Sequence, residues 1–154
     1  MNMELKTYDS VIAAKYLLAL AYKKGIVLNV TKVQKILYIA YGYFLSKYEH
    51  PIVNEQPRAW PFGPVFPRTR KKVEYNIIIE VSNPIFDEIR QNEELTTKFD
   101  SIIDKYSPYS ASQLSEWSHS VGSPWYQSTK LNGFNWNQAI PDLFIQSYFK
   151  EFNV

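Results

Sequence analysis

Between Thr31 and Tyr48 the chain reads TKVQKILYIAYGYFLSKY, with Val33, Ile36, Leu37, Ala40 and Phe44 at helical spacing on one side. Tyr38, Tyr41, Leu45 and Tyr48 form a second apolar stripe beside the first, leaving only Lys32, Lys35, Gly42 and Ser46 as a polar strip for water. A helix apolar on most of its circumference cannot lie on a surface, so the pattern predicts a central helix with the other elements packed around it. Either Asn29 or Thr31 can cap it, and Thr31 with Gln34 has the capping-box spacing.

The same reading places a first helix after Asp9 or Ser10, buried through Val11, Ala14, Leu17, Leu18 and Ala21 and stopped at Gly25. After Tyr48 the texture changes. The run HPIVNEQPRAWPFGPVFPRTRKK is dense in proline, which removes backbone donors and biases each preceding residue to extended backbone. An ordered loop is expected, with at most a short strand through Ile52 to Ala59, no regular structure from Pro61 to Pro67, and a helix starting near Pro67. The β-branched segment NIIIEVSNP reads as an extended edge. A helix follows over Asp87 to Tyr106, with Leu95, Phe99, Ile102, Ile103 and Tyr106 inward. Ser110 to Gln113 is a capping box opening a helix that carries Leu114 and Trp117 and ends near His119. Ser123 and Pro124 begin a further turn with Trp125, and Pro141 begins a terminal helix facing the body through Phe144, Ile145, Tyr148 and Phe149. The fold class is mainly α: a single compact helical domain over residues 1–154, with a minor β element at most.

Composition narrows the function classes. A chain of 154 residues, 45% hydrophobic and 21% charged, suits one domain with a sizeable core. A net charge of +2 sets up no field that demands nucleic acid or membrane. Without cysteine there is no disulfide or thiolate metal site, no apolar run approaches the roughly 18 residues of a membrane span, and the opening MNMELKTYDS is polar, so a cytosolic protein is expected. Twelve Tyr, nine Phe and four Trp are unusual, and suit either core margins or the centre of a protein interface.

Candidate chemistry is sparse. His119 has Ser115 and Glu116 at helical distances, which admits a small hydrolase or nuclease, but such spacing does not make three groups converge. Closing a helix on its last carbonyls is the plainer role for His119. A two-histidine metal site needs His50 to meet His119, and no EF-hand, HExxH, P-loop or GxGxxG motif is present, so no cofactor or metal is expected. Arg68, Arg70, Lys71 and Lys72 make a basic helix face; such runs are usually solvated surface, and nucleic-acid contact is a third reading. The most specific constellation is Trp60, Gly63, Pro64, Val65 and Pro67, either a rigid turn pinned on the core by Trp60 or a stiff aromatic loop suited to a partner. Phe62 or Phe66 would be its exposed ring.

Three blocks in order, KVQKILYIAYGYFL, AWPFGPVFP and SQLSEWSHSVGSPWYQ, resemble the Panacea domain family of SocA-like antitoxins and phage-associated GepA-like proteins. Val33 stands for the family's usual Leu and Ser118 for its usual Thr. The resemblance implies a mostly helical, non-enzymatic antitoxin that neutralises a cognate protein toxin by direct binding, with a protease as a further partner if the toxin is delivered for degradation. The residues expected at the partner surface are Trp60, Phe62, Gly63, Pro64, Phe66, Pro67, Arg68, Arg70, His119 and Trp125.

Overall fold

Helix α2, Val30–Tyr48, is the axis of the structure: it touches α1 (Ser10–Lys23), α5 (Glu93–Tyr106), α6 (Ala111–Ser118), α8 (Asp142–Glu151) and strand β2 (Gly63–Val65). The computed structural model describes residues 6–131, 133, 135 and 137–154. Among these, the remaining elements are β1 (Arg58–Trp60), α3 (Pro67–Lys72), a 3₁₀ turn (Pro84–Phe86), α4 (Asp87–Gln91) and α7 (Pro124–Leu131). The protein is mainly α. No described helix is long and apolar enough to cross a membrane.

Local signals set the helix ends. The Asp9 carboxylate accepts from the N–H groups of Val11 at 2.9 Å and Ile12 at 3.1 Å, opening α1. Asn29, not Thr31, caps α2 by accepting from Lys32 N–H at 2.9 Å; Thr31 already lies inside the helix and cannot take the extended cap backbone. Ser110 and Gln113 form both halves of the expected capping box, at 3.0 and 2.8 Å.

The predicted stripes of α2 are buried except at Tyr48, which is half-buried at the end of the helix. Val33, Ile36, Leu37, Ala40 and Phe44 are all inaccessible, and Tyr38, Tyr41 and Leu45 nearly so. Much of the aromatic excess goes into this core: Tyr16 meets Phe86 edge-on at 5.3 Å, and Tyr38 meets Phe149 edge-on at 5.6 Å. The polar strip of α2 is only half exposed. Lys32 and Ser46 reach the surface, but Lys35 is sealed under β2, and Gly42 lies under the Phe149 ring, where an added Cβ would stand 2.1 Å from a ring carbon.

Three expectations need correction. Gly63–Val65 is a strand, antiparallel to β1 with Ala59 opposite Pro64, so regular structure does cross Pro61 to Pro67. The hairpin tolerates Pro64 because the backbone of Ala59 turns the other way, donating to Gln138 O at 2.8 Å and accepting from Asn137 N–H at 2.9 Å. The expected helix over Asp87 to Tyr106 breaks at Asn92, whose extended backbone and side chain cap α5 by accepting from Leu95 N–H at 3.1 Å. The segment NIIIEVSNP forms no strand, since it meets no sheet edge with which to pair.

Candidate functional site

The β1–β2 hairpin presents Pro61 and Phe62 at its tip, and four anchors hold it still. Gly63 has φ +115°, and a Cβ there would come within 2.2 Å of Ser118 Oγ, so two constraints require glycine. The Phe62 carbonyl accepts from Ser115 Oγ at 2.5 Å, and the Trp60 carbonyl accepts from Trp125 Nε1 at 2.7 Å. Trp60 Nε1 in turn donates to Asn137 Oδ1 at 3.1 Å. From this support the Phe62 ring projects into solvent, 73% exposed.

Beneath the hairpin, two side chains of α2 read its backbone. Gln34 accepts from Phe66 N–H at 2.7 Å and donates to the Phe66 carbonyl at 3.4 Å, as a neighbouring strand would. Lys35, 2% exposed, donates from Nζ to the Pro64 carbonyl at 2.9 Å. Burial holds its ammonium down from 10.5 to about 8. A cavity of about 130 Å³ separates the first turn of α2 from the hairpin, and Gln34, Lys35, Trp60, Phe62 and Arg70 line it. The Arg70 guanidinium sits 5.5 Å from the centre of the Trp60 ring, a cation–π contact at the rim.

The expected site residues therefore divide. Trp60, Phe62, Gly63, Pro64, Arg70, His119 and Trp125 gather around the hairpin. Phe66 does not reach the surface: it is fully buried, edge-on to Tyr41 at 5.7 Å, because Gln34 fixes its backbone against α2 and turns the ring inward. Gly63, Pro64 and Trp125 are buried as supports, and Pro67 is a half-buried first residue of α3. Arg68 is turned toward α1, its guanidinium donating to Asp9 Oδ2 at 3.0 Å and Ser10 Oγ at 3.1 Å. The Glu55 carboxylate caps α3 by accepting from Arg68 N–H at 2.5 Å and Thr69 N–H at 3.1 Å.

His119 closes α6 as expected: Nδ1 lies 2.5 Å from the Ser115 carbonyl, and the ring meets Trp125 edge-on at 5.4 Å. The Ser115 hydroxyl donates to Phe62, so Ser115 and His119 do not form a nucleophile–base pair in this arrangement. His50 bonds Thr7 Oγ1 at 3.0 Å instead of meeting His119. No group of three or more His, Asp or Glu residues capable of holding a metal occurs among the described residues. Sequence reading missed Lys35 and Gln34. The signal was present for Lys35, whose helical neighbours at i+3 and i+4, Tyr38 and Ile39, are both apolar.

The central helix from Val33, the hairpin and the His119–Trp125 segment fall within one stretch of the chain that a family model matches. The Panacea domain model of the SocA-like antitoxins matches residues 33–126, more than half of the chain, including Gln34, Lys35, Trp60, Gly63, Ser115 and Trp125 but not Asn137. The chain belongs to that family. Among individual relatives, Antitoxin SocA of Caulobacter vibrioides (strain NA1000 / CB15N) is 28% identical over 142 residues, covering 81% of this chain and 72% of that protein. No solved structure matches the chain.

Proposed function

We propose that this protein is an antitoxin that neutralises a cognate protein toxin in the cytoplasm by stoichiometric binding, through the face formed by Phe62, Trp60 and Arg70. The observation that carries the reading is Phe62: a large apolar ring held in water by a hairpin that Gly63, Ser115 and Trp125 make rigid. A ring already immobilised loses little entropy on docking, and aromatic and arginine side chains concentrate binding energy at interface centres. Membership of the antitoxin family supports a toxin as the partner.

The test is co-expression with the toxin encoded beside this gene, followed by growth assay and pull-down. Phe62→Ala and Arg70→Ala are expected to weaken the complex by about 1–3 kcal/mol each while the thermal melt of the lone protein is unchanged. Affinity that falls steeply with salt would point to phosphate contacts instead. Toxin abundance separates occlusion, under which the toxin persists, from delivery to a protease, under which it disappears. If both variants rescue growth and retain toxin like the parent, the interface lies on another face.

A further inference from the structure

The ammonium of Lys35 lies in the wall of the cavity behind the hairpin with one hydrogen bond, to the Pro64 carbonyl, out of the three it can donate. No carboxylate among the described residues pairs with it, and none lines the cavity. A buried charge without a counter-charge is expensive, and proteins ordinarily neutralise or pair it. Further positive potential converges on the same space. The Arg70 guanidinium stands at the rim over Trp60 without an ion pair among the described residues, and Val30 and Thr31 bring the positive end of the α2 dipole to the opposite wall. The Gln34 amide in the wall is bonded to the Phe66 backbone, and the rest of the lining on the hairpin side is apolar, from Trp60, Pro61, Phe62 and Val65.

We infer that this cavity is a socket for a single carboxylate, supplied by an acidic side chain of the partner protein, which Lys35 and Arg70 bind while the Trp60 and Phe62 rings enclose its aliphatic stem. The inference rests on the proposed toxin-binding function and specifies the chemistry of that interface. One fully buried cation matches one negative charge; a dianion would leave excess charge in a low-dielectric space. An apolar collar opening beside the exposed Phe62 suits a carboxylate carried on methylene groups at a protein surface better than a hydrated free ion. Filling the socket completes the hydrogen bonding of Lys35 and makes the buried charge one half of a pair.

Two measurements on the full chain decide it. In the first, sodium acetate is titrated against sodium chloride at matched ionic strength while the tryptophan fluorescence and the Lys35 Nζ resonance are followed. A saturable, acetate-specific change that is absent in Lys35→Met and several-fold weaker in Arg70→Met is expected. No difference from chloride, or tighter binding of inorganic phosphate than of acetate, overturns the inference. In the second, Lys35→Met and Arg70→Met, each checked for the parent's circular dichroism and cooperative melt, are expected to bind the neighbouring toxin at least tenfold more weakly. Replacing one particular toxin Asp or Glu by its amide should cost the same factor, and should cost nothing further in the Lys35→Met background. If the parent neutralises the toxin and both variants do so equally well, the socket is wrong and the antitoxin reading stands. If the parent neutralises no toxin, that reading falls, and the acetate titration decides the socket alone.

Discussion

Replacing Lys35 by Met should make the protein more stable at neutral pH. The side chain is 2% exposed, and burial lowers its pKa from 10.5 to about 8, a difference equivalent to about 3 kcal/mol. Because the folded-state value is depressed, the folded protein holds this proton less firmly than the unfolded chain does. The penalty is therefore fully present below about pH 8, shrinks as the pH rises from 8 to 10.5, and is gone once both states are neutral. Methionine fills nearly the same volume without a charge, but leaves the Pro64 carbonyl without its donor, a loss of about 1 kcal/mol or somewhat more. The net expectation is a gain of about 1–2 kcal/mol near pH 7, measured as the shift in urea midpoint followed by circular dichroism. That gain should vanish or reverse near about pH 9.5 as the parent sheds its buried charge, and comparing parent with variant cancels the other groups that titrate there. A variant that is markedly less stable than the parent near neutrality, or a difference that does not change with pH, would refute the view that Lys35 carries an uncompensated charge. A lysine kept at a net cost to the fold is the mark of a residue with work to do elsewhere.

Other substitutions separate supports from contacts. Phe66→Ala should lose about 3–5 kcal/mol of stability in denaturant unfolding, since the ring is fully buried, whereas a loss below about 1 kcal/mol would show that it is not core. Removing the His119 side chain (H119A) should lower stability by about 1 kcal/mol through the Ser115 bond and the Trp125 contact, and should abolish no turnover. A hydrolytic or nuclease activity of the parent that disappears in this variant while the fold persists would refute that role. Gly42→Ala drives a methyl into the Phe149 ring and should cost about 1–3 kcal/mol, partly restored by Phe149→Leu; an unchanged melting temperature would show that α8 does not lie there.

What could be read from sequence was local. The caps at Asp9 and Ser110, the helix starts at Pro67 and Pro124, and the apolar stripes of α1 and α2 each depend on residues a few positions apart, and each stands where the spacing puts it. What escaped depends on partners distant in the chain. Pro64 looked incompatible with a strand until Ala59 proved to spend its hydrogen bonds on residues 137 and 138. Asn92 interrupts a run that keeps its apolar spacing, because its side chain both caps α5 and donates to Tyr8 at 3.1 Å. Lys35 read as a solvated position although Tyr38 and Ile39 beside it are apolar, because no local pattern identifies the distant hairpin that covers it. At the candidate site, the Trp60–Pro67 block was recognisable as either a rigid turn or an interface loop, and the structure divides it by residue: Phe66 is part of the core, and Phe62 is in water.

The ring of Phe149 lying on the bare backbone of Gly42 also sets an order of events. The groove on α2 is complete early in synthesis, but the helix that fills it emerges only after the hairpin and α5 to α7. Until then Tyr38 and its neighbours lack their last wall, and the central helix of the protein stays open to chaperones and proteases. Closure by so distant a contact carries the entropic cost of a long loop, so the final docking of α8 should be slow relative to the pairing of α1 with α2. A chain clipped before α8 would expose the central helix permanently, so damage far along the sequence would be felt at the centre of the fold.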